Sequence, residues 1–156
     1  MAEAAENRLS VTVDQLPDLK GADFGPSSWQ TITQEDIQQY ADVSGDHNPI
    51  HTDPEAAAKS PFGTVVAHGY LTLSRVVPLM AEVFEVTELS SGINYGLDKL
   101  RFPAPVPAGG RIRIRGTVTE VTEIPGGYQV HADLTWDVEG SDKPACAAKQ
   151  VLRYYR

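Results

Sequence analysis

An alternation of period two in the C-terminal half constrains this chain more than any other feature. Ile112, Ile114, Gly116 and Val118 alternate with Arg111, Arg113, Arg115 and Thr117. Further on, Tyr128, Val130, Ala132, Leu134, Trp136 and Val138 alternate with Gln129, His131, Asp133, Thr135, Asp137 and Glu139. Successive side chains of a strand point to opposite faces, so such runs bury one face and wet the other. Pro125-Gly126-Gly127 and Gly140-Ser141-Asp142 provide hairpin turns. Two more strands are expected, one from about Ile93 to Phe102, ended by Pro103, and one from about Ala145 to Tyr155.

Upstream of this sheet the pattern becomes helical. Residues 1–8 are expected to form a disordered tail, and residues 9–156 a single domain, a size that suits one core. A short helix is expected within Ser10 to Lys20 despite Pro17, and a short strand over Trp29 to Ile32. Thr33 with Asp36 three positions on resembles a capping box, and Ile37, Tyr40 and Ala41 give an i, i+3, i+4 stripe. Gly45 supplies the left-handed residue that ends such a helix, and Asp53-Pro54 opens another short one through Ala58. From Gly69 to Phe84 the chain is apolar on several sides, so a helix there should be buried, with Pro78 kinking it or loosening the bond to Ser74. A buried helix followed by an antiparallel sheet is an α+β arrangement.

Composition narrows the function classes. The net charge of −8 argues against general nucleic-acid binding, which needs a basic footprint. Ser74, Arg75, Pro78 and Glu82 interrupt the most apolar stretch, so no membrane span is expected, and the acidic N-terminus is unlike a signal peptide. A single cysteine, Cys146, leaves no internal disulfide, and a cytoplasmic location is the expectation. Between Lys99 and Thr119 stand Lys99, Arg101, Arg111, Arg113 and Arg115 with no acidic residue among them. This run has two readings: a solvated strand face, or positive charge that steers a small anionic ligand.

Chemistry is concentrated in Tyr40 to His51, where Asp46 stands five residues before His51 with Gly45 and Pro49 as punctuation. Five residues subtend about 140° on a helix at ~100° each, so the pair cannot share one helical face. Pro49 is also excluded from a helix interior. The segment reads as a shaped loop, with Asp46 or Asn48 bonding its own backbone in an Asx-type turn. Such a loop can aim a carboxylate and an imidazole at one water. His47, His51 and His68 beside Asp46 raise the question of a metal, but Pro49 breaks the helix that an i, i+4 histidine pair would need, and no metal is expected. His131 reads as a solvated strand residue and Cys146 as a small core residue.

The run Tyr40, Ser44, Gly45, Asp46, His47, Asn48, Pro49, Ile50, His51 resembles the signature of the MaoC-like (R)-specific enoyl-CoA hydratases: an aromatic residue, then Ser/Thr-Gly-Asp-x-Asn-Pro-aliphatic-His. Ala67-His68-Gly69 before an apolar helix matches a second family element, and the order of elements agrees from Trp29 to the C-terminus. The run from Ile93 to Gly109 resembles bacterial single-domain members. The resemblance implies a hot-dog fold, an antiparallel sheet wrapped around a central helix. It also implies a homodimer paired edge to edge, an acyl-CoA substrate and no cofactor. The implied reaction is reversible hydration of trans-2-enoyl-CoA to (R)-3-hydroxyacyl-CoA.

Under that reading Asp46 and His51 hold one catalytic water and carry both proton transfers. The backbone N–H of Gly69, at a helix start, meets the charge that develops on the thioester oxygen. Tyr40, Asn48, His68 and Arg101 are the expected substrate-binding residues. Two alternatives stay open. A hot-dog acyl-CoA thioesterase would keep the fold without needing the full Gly-Asp-x-Asn-Pro-x-His run. A non-catalytic acyl-CoA binder or assembly partner would have no reason to retain both Asp46 and His51.

Overall fold

The structure is a computed structural model that describes residues 7–156. Strand β1 (Leu9–Thr12) leads into a 3-10 helix (Val13–Leu19), followed by the two-residue strands β2 (Asp23–Phe24) and β3 (Gln30–Thr31). Four helices come next: α1 (Gln34–Ser44), α2 (Pro49–Thr52), α3 (Pro54–Ala58) and α4 (Gly69–Ser74). Then follow α5 (Val76–Val83), β4 (Phe84–Thr87), β5 (Ser91–Arg101), β6 (Arg111–Ile124), β7 (Gly127–Val138) and β8 (Cys146–Tyr155).

The alternating runs become β6 and β7, joined through Pro125-Gly126, and the main sheet has the order β2-β6-β7-β8-β5, with β3 also on β6. Every pairing in it is antiparallel. Ile112, Ile114, Val118, Val130, Leu134 and Trp136 are fully or nearly fully buried, and they share one core with Leu71, Val76, Leu79 and Val83 of α4 and α5. Val13 and Leu16 of the 3-10 helix, with Phe24, Ile32 and Ile37, complete that core. Each such side chain contributes on the order of 1.5–3 kcal/mol when withdrawn from water. A central helical segment against an antiparallel sheet is the hot-dog arrangement.

The long apolar helix differs from expectation. It is two helices that break at Arg75, three residues before Pro78. Proline has no N–H for the Ser74 carbonyl and crowds it. Starting α5 at Val76 puts Pro78 in a first turn, where N–H groups have no intrahelical partner anyway. At the break, the Arg75 guanidinium pairs with Asp36 of α1 at 2.9 Å. Nor is the segment buried all round within one chain, because Tyr70 is 65% exposed and Val77 60%.

Other differences are local. The expected helix near Pro17 is a 3-10 helix, and the residue 46–51 loop contains the helical turn α2, with Pro49 at its first position. Strands β1, β2 and β4 were not anticipated: four residues or fewer show no periodicity, and β1 and β4 exist through a parallel pairing of Leu9 with Phe84. Most of the tail expected over residues 1–8 lies outside the described residues. Asn7 donates to the Asp23 carbonyl at 2.6 Å, and Arg8 pairs with Glu85 at 3.0 Å.

The capping box expected at the start of α1 is present, with Thr33 and Asp36 bonding each other's backbone N–H. Its other end stops at Gly45, whose φ of 78° is left-handed and whose N–H returns to the Ala41 carbonyl. A Cβ at Gly45 would meet nothing within 4 Å, so only backbone conformation opposes a larger residue. Gly45→Ala is therefore expected to cost about 1 kcal/mol. In a thermal melt this is a fall of roughly 2–4 °C, and an unchanged melting temperature would show that the cap carries no strain.

Candidate active site

The turn after Gly45 is held by its own polar side chains. Asp46 Oδ1 accepts the Asn48 N–H at 3.3 Å, and Asn48 Oδ1 accepts the Ile50 N–H at 3.2 Å, capping α2. These are Asx turns, which let a short polar side chain stand in for a backbone turn. They carry the chain inward so that His51, one turn on, is only 8% exposed. The Gln34 side chain donates to the His51 carbonyl at 3.2 Å, and the Val66 N–H donates to the Ile50 carbonyl at 3.1 Å.

One bond fixes the chemistry of the His51 ring. Its Nδ1 stands 2.6 Å from the Val66 carbonyl oxygen. A carbonyl only accepts, so Nδ1 carries a proton, and in the neutral ring Nε2 keeps the lone pair. One oxygen or nitrogen atom from each of Asp46, His51 and His68 lies within 4.8 Å of the other two. Two groups bonded to the same water at ~2.8 Å each can stand up to ~5.6 Å apart, so one water can touch both Asp46 and His51.

The His51 and His68 rings stack with centroids 3.9 Å apart and an interplanar angle of 29°. His47 turns away to pair with Asp42 at 3.0 Å, and that carboxylate raises its pKa.

His51 forms part of the wall of a cavity of about 260 Å³ with Ile50, Phe62, Gly69, Thr72 and Phe102. The Pro103–Val106 run that follows β5 lines the remainder with Val66, Ala67 and Ala145. Gly69 is the first residue of α4, whose N-terminus has no side-chain cap. A Cβ there would come within 2.9 Å of the Phe102 ring, so glycine is required for this close approach.

The four expected substrate-binding residues lie off the cavity wall. His68 is 2% exposed and stands behind His51, and Tyr40 packs on His68 with ring centroids 4.8 Å apart. Asn48 is exposed and caps α2; Arg101 is exposed at the end of β5, donating to the Leu100 carbonyl at 2.7 Å. The cationic run resolves toward the strand-face reading at three of its members. Arg111 pairs with Glu139, and Arg113 and Arg115 pair with Asp137 at 3.5 and 3.2 Å. Sequence reasoning missed the Val66 carbonyl, Thr72, Phe62 and Phe102. A backbone carbonyl leaves no mark in a sequence, and isolated apolar residues look the same in a core and on a cavity wall.

The family model described as "MaoC like domain" matches residues 17–138. A Mycobacterium tuberculosis protein named 3-hydroxyacyl-thioester dehydratase Z is 45% identical over 148 residues, which cover 94% of this chain and 98% of that protein. Among solved structures, an (R)-hydratase from Pseudomonas aeruginosa in unliganded form superposes with a TM-score of 0.66 at 25% identity, covering 88% of this chain and 82% of that one. The (R)-hydratase from A. caviae involved in PHA biosynthesis shares the fold at a TM-score of 0.69 and 23% identity, covering 85% and 94%. With its family signature at the end of α1, its cavity beside His51 and a family match over most of its length, the chain belongs to the MaoC-like domain family.

Proposed function

We propose that this protein is a hydro-lyase that reversibly adds water to a trans-2-enoyl thioester, giving the (R)-3-hydroxyacyl thioester. The observation that carries this reading is the His51 ring, held at Nδ1 by the Val66 carbonyl and with a ring nitrogen within one water of the Asp46 carboxylate. The relative named as a 3-hydroxyacyl-thioester dehydratase and the structural neighbours named (R)-hydratases support both the reaction and its stereochemistry. Coenzyme A is the proposed carrier.

His51 Nε2 accepts a proton from the water that Asp46 orients, and the water oxygen attacks the β-carbon. Electron density moves to the thioester oxygen, for which the Gly69 N–H is the proposed donor. The imidazolium, with Asp46 beside it, then returns a proton to the α-carbon. The net result is OH on one carbon and H on the other, and acid–base groups suffice for it without a cofactor.

A second copy of the chain is the proposed partner. Strand β5 is an edge of the main sheet, and Ile93, Tyr95 and Leu97 on it are exposed along with Tyr70 and Val77. An open, apolar edge strand invites pairing with another chain. A cytoplasmic location remains part of the proposal, consistent with the lone thiol of Cys146. Among the described residues, no helix is long and apolar enough to cross a membrane.

Three outcomes are expected. Purified protein removes the enoyl absorbance of crotonyl-CoA, and a dehydrogenase specific for the S alcohol does not oxidise the product; release of free thiol instead would establish the thioesterase. Asp46→Asn and His51→Gln each lower kcat by on the order of 10²–10⁴, and a near-normal rate in either folded variant would remove that residue from the chemistry. Ile93→Lys converts a dimer to a monomer in sedimentation equilibrium; a wild-type monomer would refute the edge pairing.

A further inference from the structure

His68 is the one histidine near the cavity that the proposed reaction does not use, and it is also the most deeply enclosed. It is 2% exposed, between the His51 ring at 3.9 Å and the Tyr40 ring at 4.8 Å. Its Nε2 lies 2.9 Å from the backbone carbonyl oxygen of Asp46. That acceptor has no proton to give, so Nε2 carries one, and Nδ1 is left buried with no hydrogen-bond partner. A buried ring without a partner for a second N–H cannot take a second proton cheaply, and burial holds this imidazole below the ordinary histidine pKa.

We propose that His68 is a neutral positioning residue for the Asp46–His51 pair, anchoring the Asp46 peptide through Nε2–H while its ring face supports the His51 imidazole. The inference rests on the hydratase reading above. Each member of the pair has an independent hold: His51 through Val66, and the Asp46 side chain through the Asn48 N–H. The first ties the 46–51 turn to Val66 and the second is internal to that turn, and neither joins the Asp46 peptide to the His51 ring. His68 bridges that gap because it touches the Asp46 backbone and the His51 ring at once. Its neutrality matters to the same end. A charged ring stacked on His51 would oppose the imidazolium that forms when His51 takes the water proton, whereas a neutral ring permits it.

His68 is 2% exposed and off the cavity wall, whereas Asp46 is exposed, so kinetics must separate positioning from substrate contact. The test uses two variants of the full chain: His68→Phe keeps an aromatic face and deletes the donor, and His68→Gln restores an N–H at similar reach. The expected result is a kcat for His68→Phe lowered on the order of 10- to 100-fold, with KM for crotonyl-CoA within about twofold of wild type. His68→Gln should recover part of that loss. Normal kcat in a folded His68→Phe, a loss carried by KM, or a Gln variant no better than Phe would each overturn the proposal. A second readout does not need turnover: the nitrogen NMR shifts of His68 at pH 7 should report the neutral Nε2–H tautomer, and an Nδ1–H tautomer or an imidazolium would also overturn it. Absence of hydration by the wild-type protein would instead refute the hydratase reading, leaving the tautomer measurement to judge His68 on its own.

Discussion

The inner faces of β6, β7 and β8 cannot stand in water, and much else in the molecule follows from covering them. Ile112, Ile114, Val118, Val130, Leu134 and Trp136 lie in one layer. The cover is α4 and α5, with the 3-10 helix and Phe24 beside them. Because this cover is a short broken segment, its start is a designed place in the fold. Gly69 must sit where the Phe102 ring leaves no room for a Cβ, and His68 immediately before it is driven into the interior. Hydrophobic burial thus delivers a polar residue to the back of the cavity.

Burial then makes the polar bonds matter. Inside the protein an unmatched donor or acceptor costs more than a matched one gains. His51 and His68 each satisfy one ring nitrogen with a backbone carbonyl, Val66 and Asp46 respectively. Those two bonds choose opposite tautomers: Nδ1–H on His51 and Nε2–H on His68. The stacked pair is consequently asymmetric, with His51 on the cavity wall and the free nitrogen of His68 enclosed. Two histidines of the same sequence composition acquire different chemistry from which carbonyl each one meets.

The polar exterior is organised on simpler terms. The arginines that alternate along β6 meet Asp137 and Glu139 across the hairpin, and the Arg113 guanidinium lies 4.5 Å from the Trp29 ring. Such exposed pairs contribute little stability individually. They do account for Arg111, Arg113 and Arg115 without a ligand. At the opposite edge, β5 has bulges between Asn94 and Gly96 and between Leu97 and Lys99, and presents apolar side chains outward.

The sequence alone determined the long strands β5 to β8, the caps of α1, the turn at Gly45 and the Asx turns after it. All of these depend on residues within a few positions of one another, where periodicity and backbone preference act directly. The α+β class followed from the same local signals, and the family signature named the hot-dog arrangement. Tertiary structure alone decided the parallel pairing of β1 with β4, the Phe102 ring over Gly69 and the tautomer of His51. Each of these is a contact between segments distant in the chain, made by a carbonyl, a ring or a strand too short to mark itself. His68 shows the division most clearly. Its place before Gly69 was legible, but its withdrawal behind His51 was not, because the Asp46 carbonyl that holds it lies 22 residues away.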